Sequence, residues 1–304
     1  MNTQDLALFV ATADLGSISR AAEHLGITAA SASAALKRLE RQLNVSLFIR
    51  STRALRITSQ GEHYLAYCRS ALEQLDSGVA ALNSMQGKVT GELRIAAPSD
   101  LGRNLLLFWM DDIMTDHPDL SIHLMLSDAI TDFYNDKVDL AIRYGPVRDD
   151  SVVAFRIAKT RAFLFAAPHY LEQFGTPQTP EELQNHNCML FNRDRRTYNE
   201  WRLKPDNPDL NDPVTIQVSG NRTSNDSEVV HRWVVAGKGI AAKAPLEMRA
   251  DIDAGRVIRL LPEYSLSPMD LHLICPSRHQ VSPAVLKLRD LLREKFACYE
   301  KYPT

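Results

Sequence analysis

Residues 17–58 read SISRAAEHLGITAASASAALKRLERQLNVSLFIRSTRALRIT, and this stretch decides the N-terminal fold. Ser17 or Ser19 can cap a helix that runs to about Leu25 and buries Ala21, Ala22 and Leu25. Gly26 then makes the turn, Ile27 packs beneath it, and Thr28 is a natural N-cap for a second helix. The second helix turns Ala32, Ala35, Leu36 and Leu39 inward and shows Ser31, Ser33, Ala34, Lys37 and Arg38 outward. Small residues at Ala21 and Ala22 allow the close crossing of a helix-turn-helix, whose second helix can enter the major groove with its N-terminal residues on base edges. In the following LFIRSTRALRITSQG (47–61), Arg50, Arg53 and Arg56 fall three apart around a turn. That spacing predicts a wing gripping phosphates on either side of the groove. The expected contacts to double-stranded DNA are therefore Thr28, Ala29, Ser31, Ser33, Lys37, Arg38, Arg50, Arg53 and Arg56.

Charge distribution supports this assignment and confines it to one end. Residues 17–58 carry seven Lys/Arg against two Asp/Glu, although the 304-residue chain has a formal net charge of −2. Residues 1–60 are net +3 and the remainder net −5, which is not how a chain that coats nucleic acid along its whole length is built. The opening MNTQDLALFVATADLGS places Leu6, Phe9, Val10 and Ala13 at helical spacing, so residues 3–14 are expected to form a helix ended by Gly16. It lacks a basic n-region and a signal-cleavage pattern, and no segment approaches the roughly 20 apolar residues that span a bilayer. A cytoplasmic protein without a membrane partner is expected. Cys68, Cys188, Cys275 and Cys298 are scattered without CxxC spacing, so free thiols are the default.

From Ser59 to about Gly87 the pattern stays helical, with Leu65, Cys68, Leu72, Leu75, Val79 and Leu82 at alternating spacings of three and four. Such a stripe either packs on its own domain or pairs with a second copy. Because the helix leads straight from the wing, a homodimer through Leu65, Leu72, Leu75, Val79 and Leu82 is expected, presenting two recognition helices to a pseudo-palindromic site.

Beyond Gly87 and Gly91 the order becomes strand–loop–helix. The strand ELRIAAP leads into the turn PSDLG and a helix over 103–116; then come LSIHLML, a short helix around 129–136, and DLAIRYG. A mostly parallel sheet covered by helices follows from this order. RAFLFAAP (161–168) is a further strand closed by Pro168 and the helix HYLEQFG; after it a second α/β unit includes a strand near 214–218, a helix near 225–237, GIAAKAP and VIRLL, before MDLHLICP (269–276) returns to the first. The expected organisation is a winged helix-turn-helix domain (1–58), a linker helix (59–88) and a two-lobed α/β domain (89–304). Its first lobe takes about 91–165 and 269–304, and its second about 168–266.

Ligands favour the carboxyl ends of parallel strands, which points to the cleft between the lobes. Ser99, Leu101, Arg143, Gly145 and Asn225 are the expected effector contacts. Ser99 at a helix start could hold an anion on hydroxyl and backbone N–H groups, or simply cap its helix. Arg143 could meet a ligand or pair with a nearby Asp. A small organic, carboxylate-bearing effector suits the arrangement, with no cofactor and no metal. Catalysis lacks a constellation: the nine histidines are dispersed without HExxH, GKG at 237–239 is not a P-loop, and no GxGxxG follows a strand. The alternative is a small-molecule-binding protein of solute-binding type without gene regulation, which would leave the basic N-terminal block unexplained.

The segments FVATADLGSISRAAEHLGIT (9–28) and SASAALKRLERQLNVSLFIRSTRALRITSQG (31–61) resemble the winged helix-turn-helix of the LysR-type transcriptional regulators. The resemblance extends over nearly the full length through DLAIRYG, DDSVVAFRI, LFAAPHYLEQFGTPQTPEEL, NHNCMLF and EWRL. It implies an effector domain like the periplasmic solute-binding proteins, a dimerisation helix, a homotetramer built from two dimers, and action as activator or repressor alongside RNA polymerase. The family usually opens its recognition helix Ser-Gln-Pro or Ser-Gln-Ser, where this chain has Thr28-Ala29-Ala30, and Ala34-Ala35 replaces a usual arginine or glutamine pair. Alanine offers a methyl group where glutamine would hydrogen-bond a base edge, so shape and apolar contacts are expected to take a larger share of readout.

Overall fold

The computed structural model describes residues 2–300 apart from 51–54, 86–88, 134–135, 137, 194–195, 207–211 and 267. It divides into two units, Met1–Leu82 and Asn83–Thr304.

In the first unit α1 (Thr3–Leu15) is capped by Asn2 and α2 (Ile18–His24) by Ser17. Gly26, at φ 66°, closes α2. Its N–H bonds Glu23 O while that of Ile27 bonds Ala22 O, the paired closure of a helix end that needs a left-handed residue. Because the closing turn uses the backbone of this corner, Leu25 (37% exposed) and Ile27 (42% exposed) stay outside the core that the sequence assigned them. Thr28 caps α3 (Ala29–Leu43) by accepting from Ser31 N at 3.1 Å. Strands β1 (Phe48–Arg50) and β2 (Leu55–Ile57) pair antiparallel as the wing, with Arg50 opposite Leu55. Glu40 of α3 accepts from Leu47 N (2.8 Å) and Phe48 N (3.2 Å), and this ties the wing to the recognition helix.

The core of this unit gathers Leu6, Leu8, Phe9, Ala21, Ala22, Ala32, Leu36, Leu39, Leu47, Phe48 and Cys68. Phe9 meets the edge of Phe48 at 5.4 Å between ring centroids. The linker α4 (Ser59–Met85) has 27 residues, about 40 Å of helix. Its apolar stripe divides. Leu65 and Leu72 pack on this core beside buried Cys68, whereas Leu75, Val79 and Leu82 are 53%, 60% and 63% exposed.

The second unit opens with β3 (Gly91–Ala97), then α5 (Ser99–Leu101), a π turn (Gly102–Leu106) and α6 (Leu107–Asp116). After these come β4 (Leu120–Leu126), β5 (Leu140–Tyr144) and β6 (Val153–Ala158). Further along lie β7 (Phe163–Ala166), α7 (Pro168–Phe174), β8 (Leu190–Arg193), β9 (Arg196–Thr197), β10 (Glu200–Pro205) and β11 (Val214–Gln217). Then β12 (Thr223–Ser224), α8 (Ser227–Val235), β13 (Ala241–Lys243), α9 (Pro245–Asp253), β14 (Ile258–Leu260) and β15 (Tyr264–Ser265) complete the second lobe. Strand β16 (Leu271–Cys275) and α10 (Pro283–Glu300) return to the first.

The first lobe's sheet runs β4-β3-β5-β16-β6. Strand β3 is parallel to β4 and β5, and β16 is antiparallel to both its neighbours, so β4, β3, β5 and β6 run one way and the sheet is mostly parallel, as expected, with β16 as its reversed strand. A return crossing from another lobe enters the sheet from the opposite end, which sets that polarity. Trp109 of α6 meets Phe296 of α10 edge-on at 4.8 Å over this core. In the second lobe β7 pairs antiparallel with both β13 and β14, so 163–166 belongs there and the outbound crossing lies near Arg161, earlier than the sequence placed it. Arg161 and Pro268 form an antiparallel bridge, flanked by Met269 N–H to Thr160 O (2.8 Å) and Leu266 N–H to Ala162 O (2.9 Å). Trp201 is buried in the second lobe's core and Cys188 is fully buried there. No helix forms among the described residues of 129–136. Ser127 and Asp136 side chains accept the N–H groups of Ala129 and Asp132, and such local bonds compete with a helix.

Candidate DNA interface and inter-lobe cleft

At the DNA end, Thr28 at the cap of α3 and Ala29, Ser31 and Lys37 along the helix are exposed, and Ser33 is half-buried. The Thr28 hydroxyl also donates to Ser31 Oγ (2.9 Å), fixing both side chains at the helix start. Arg38 is differently placed, since its guanidinium bonds the buried Asp5 carboxylate at 2.6 Å and ties α3 to α1. In the wing Arg56 is exposed and sits opposite Ile49, itself 61% exposed. Arg50 ends β1, and Arg53 lies outside the described residues.

Between the lobes, the expected effector residues are not brought together as one ligand shell. Leu101 is fully buried in the first lobe's core, because an apolar residue one turn past the β3 end faces the sheet. Asn225 is exposed, and its neighbour Asp226 does the capping of α8, accepting Glu228 N at 2.9 Å. Gly145 ends β5 at φ 95° in open space. Ser99 is buried, and its hydroxyl lies 2.5 Å from Asp128 Oδ2 and 2.8 Å from Asp226 Oδ1. One hydroxyl proton faces two acceptors. Asp128 also accepts Ser99 N (3.2 Å) and, across the seam, Ser227 N (2.7 Å). The Ser99 donors that the sequence offered to a ligand carboxylate are thus engaged by the chain's own carboxylates.

Arg143 remains at the cleft. It donates to Ser127 O at 2.7 Å and to the Thr131 hydroxyl, while its buried Nε has no hydrogen-bond partner among the described residues. Burial lowers the pKa of this guanidinium. A cavity of about 130 Å³ opens here, lined by Asp128, Arg143, Tyr144, Arg193, Lys243 and Glu247 with Phe191, Val230 and Met269. The Tyr144 hydroxyl is likewise buried without a hydrogen bond among the described residues.

Beneath the cavity lies a charge network that sequence reading missed. Asp100, fully buried on α5, forms an ion pair with Lys243 of β13. Lys243 also meets Glu247 Oε2 (2.9 Å) and donates to Ser227 Oγ (2.6 Å). Asp100 Oδ1 lies 2.8 Å from His231 Nδ1, and Asp251 Oδ2 lies 2.8 Å from His231 Nε2. The π turn projects Asn104, which donates to Asp100 Oδ1 (2.5 Å) and to Glu228 Oε2 (2.6 Å). Burial works against charge on Asp100, but Lys243 and then His231 hold its carboxyl well below the usual range. Burial likewise opposes the Lys243 charge, yet Asp100 and Glu247 hold its pKa above the ordinary value. His231 follows the same rule: burial pulls its pKa down, and the hydrogen bond and charge of Asp100 outweigh it. Glu247 goes the other way, pushed up to about 7 chiefly by burial, with Lys243 opposing.

Asp100, Glu228 and His231 bring three potential metal-ligand atoms within 4.8 Å of one another. The donor chemistry does not fit a metal. A histidine with a carboxylate on each ring nitrogen donates from both and has no lone pair to give. Glu228 is further held by Arg232 Nε at 2.6 Å. The signals that could have found this network are Lys243, a lone charge within the apolar GIAAKAP, and His231 inside VVHRWVV. All four cysteines are free, and burial pushes the Cys188 and Cys275 thiols up to about 12, far from thiolate reactivity.

Comparison with known proteins agrees with both halves. Residues 3–62 match the bacterial regulatory helix-turn-helix proteins of the lysR family, and residues 86–297 match the LysR substrate binding domain. The HTH-type transcriptional activator TtdR of Escherichia coli (strain UTI89 / UPEC) is 30% identical over 264 residues, covering 87% of this chain and 84% of that protein. The HTH-type transcriptional regulator DmlR of Escherichia coli (strain K12) is 29% identical over 299 residues, 98% of this chain and 95% of that one. The structure of CrgA, a LysR-type transcriptional regulator from Neisseria meningitidis, superposes with a TM-score of 0.60 at 26% identity, over 97% of this chain and 99% of that one. A capped recognition helix and wing, a long linker helix and a two-lobed domain thus occur in the order these proteins share, and the chain belongs to the LysR family of transcriptional regulators, as a ligand-responsive DNA-binding protein and not an enzyme.

Proposed function

We propose that the chain binds a pseudo-palindromic promoter site as a homodimer, assembled further into a homotetramer, and that a small organic effector in the inter-lobe cavity sets its output. The observation that carries the DNA reading is the exposed, Thr28-capped start of α3 beside the wing that Glu40 holds to it. The exposed Leu75, Val79 and Leu82 of α4 support pairing with a second copy, since Leu65 and Leu72 are engaged at home. Among the described residues no helix is long and apolar enough to cross a membrane, which agrees with action in the cytoplasm. Arg143, with its unpartnered Nε, and Tyr144 support an effector rich in hydrogen-bond acceptors, a carboxylate included, lying at these residues and not at Ser99. Activation or repression then depends on where the site lies relative to RNA polymerase.

The test is selection from a random double-stranded DNA pool by the full-length protein, followed by sequencing of the bound fraction. An enriched two-fold motif is the expected outcome. Salt-sensitive binding with no enriched motif would defeat the sequence-specific part of the proposal.

A further inference from the structure

Among the described residues, several contacts that cross from one lobe to the other are polar and largely buried. From the first lobe, Asp100 reaches Lys243 and His231, Asn104 reaches Glu228, Asp128 reaches Ser227 N, and Ser99 reaches Asp226. The side chains of Asp100, Lys243, His231 and Glu228 are 0%, 3%, 5% and 8% exposed. A solute-binding protein that waits open needs two lobe faces content with water, and its ligand then supplies the contacts that close it. Here the chain supplies them.

We propose that Asp100 is a latch residue, a buried carboxylate of the first lobe clasped by Lys243 and His231 of the second, which holds the domain closed in the absence of effector. The latch is a statement about regulation of the same cleft and rests on the effector reading of it. Effector binding therefore acts on a closed domain, and whatever it changes must be paid against these contacts, since a ligand shifts an equilibrium only by its differential affinity for the two states.

The chemistry explains why Asp100 and not another residue holds this place. Lys243 and Glu247 belong to one lobe and stay together if the seam opens, as do His231 and Asp251. Among the described residues only Asp100 meets both cations from across the seam. Removing its charge leaves Lys243 with Glu247 and the Ser227 hydroxyl, and His231 with Asp251 and the more distant Glu228 (3.9 Å), and a buried cation that loses a partner favours hydration. Asn104 is the milder case, because its amide is an uncharged donor to Glu228 that water can replace.

The measurement is amide hydrogen exchange on full-length protein without effector, comparing wild type with Asp100→Asn and Asn104→Ala. In the wild type, 99–106 and 226–231 are expected to be protected. In Asp100→Asn both segments should exchange about tenfold faster together, while β5 and β7 keep wild-type protection. Asn104→Ala should show the same paired pattern at smaller amplitude, and it decides the matter if Asp100→Asn fails to fold. Unprotected seam segments in the wild type would overturn the latch. So would loosening of one lobe only, or uniform acceleration through both cores. Because no effector or DNA is present, failure here leaves the effector reading to be judged on binding data alone.

Discussion

Replacing Lys243 by Met tests the energetics of the seam most directly. The side chain is 3% exposed and loses ion pairs to Asp100 and Glu247 and a hydrogen bond to Ser227 Oγ. Methionine matches the stem in length and fills the same space, so the perturbation is chiefly electrostatic. Removing one partner of a buried ion pair costs about 3–5 kcal/mol, since it strands the opposite charge. Two carboxylates are stranded here, but they differ. Glu247 already titrates at about 7 and escapes by taking a proton, whereas Asp100 keeps only His231 and Asn104. The expected loss therefore stays near that range and does not double. For a domain of this size each kcal/mol moves the thermal midpoint by roughly 2–4 °C, so a drop of about 6–20 °C is expected. Differential scanning calorimetry at neutral pH reads it. A double-mutant cycle with Asp100→Asn should show strong coupling, the pair being less damaging than the sum of the singles. A shift under about 3 °C, or additive effects in the cycle, would refute the reasoning.

Three further outcomes are expected. Arg56→Ala should weaken binding to specific and nonspecific DNA alike and reduce the slope of log affinity against log salt by about one, read by fluorescence anisotropy across a salt series; an unchanged slope removes Arg56 from the phosphate contacts. Val79→Asp, on the exposed half of the α4 stripe, should halve the sedimenting mass while leaving the first unit's melting intact, because Val79 lies beyond the part of the helix packed on that core. Glu247 has its carboxyl raised from 4.5 to about 7, so its contribution to stability is fully present below pH 4.5 and is lost as pH rises through 7. Its loss amounts to about 3 kcal/mol, at 1.36 kcal/mol per pKa unit. Urea titrations at pH 5 and pH 8 should show that difference in the wild type and a flatter profile in Glu247→Gln; parallel profiles would mean that Glu247 titrates normally.

The sequence is most legible where structure is local. Thr28 as a cap, Gly26 as a turn and the wing around Arg50–Arg56 are decided within a few residues, and backbone geometry follows directly from residue type. Ile27 and Leu25 show the limit even there: hydrophobicity assigned them to the core, but the closing turn of α2 left them at the surface. The stripe on α4 was visible as a stripe, but periodicity does not say which neighbour covers which half, and Leu65 and Leu72 proved to lie on their own domain. The seam was illegible for a different reason. Asp100, His231 and Lys243 come from three separate segments, and each alone reads as an ordinary charged residue. Only the long-range fold makes them neighbours. The same holds for Asp128, a loop aspartate in sequence and a shared acceptor for two helix starts in space.

The Arg161–Pro268 bridge has a mechanical consequence. The outbound and return crossings are stapled side by side by the N–H groups of Met269 and Leu266, so the two strands form one ribbon instead of two independent tethers. A ribbon of this kind twists and bends easily but resists shear, because sliding one strand past the other would break both bonds at once. Sliding of one lobe past the other is thereby opposed, while rotation about the ribbon is left open, like a door on its pin.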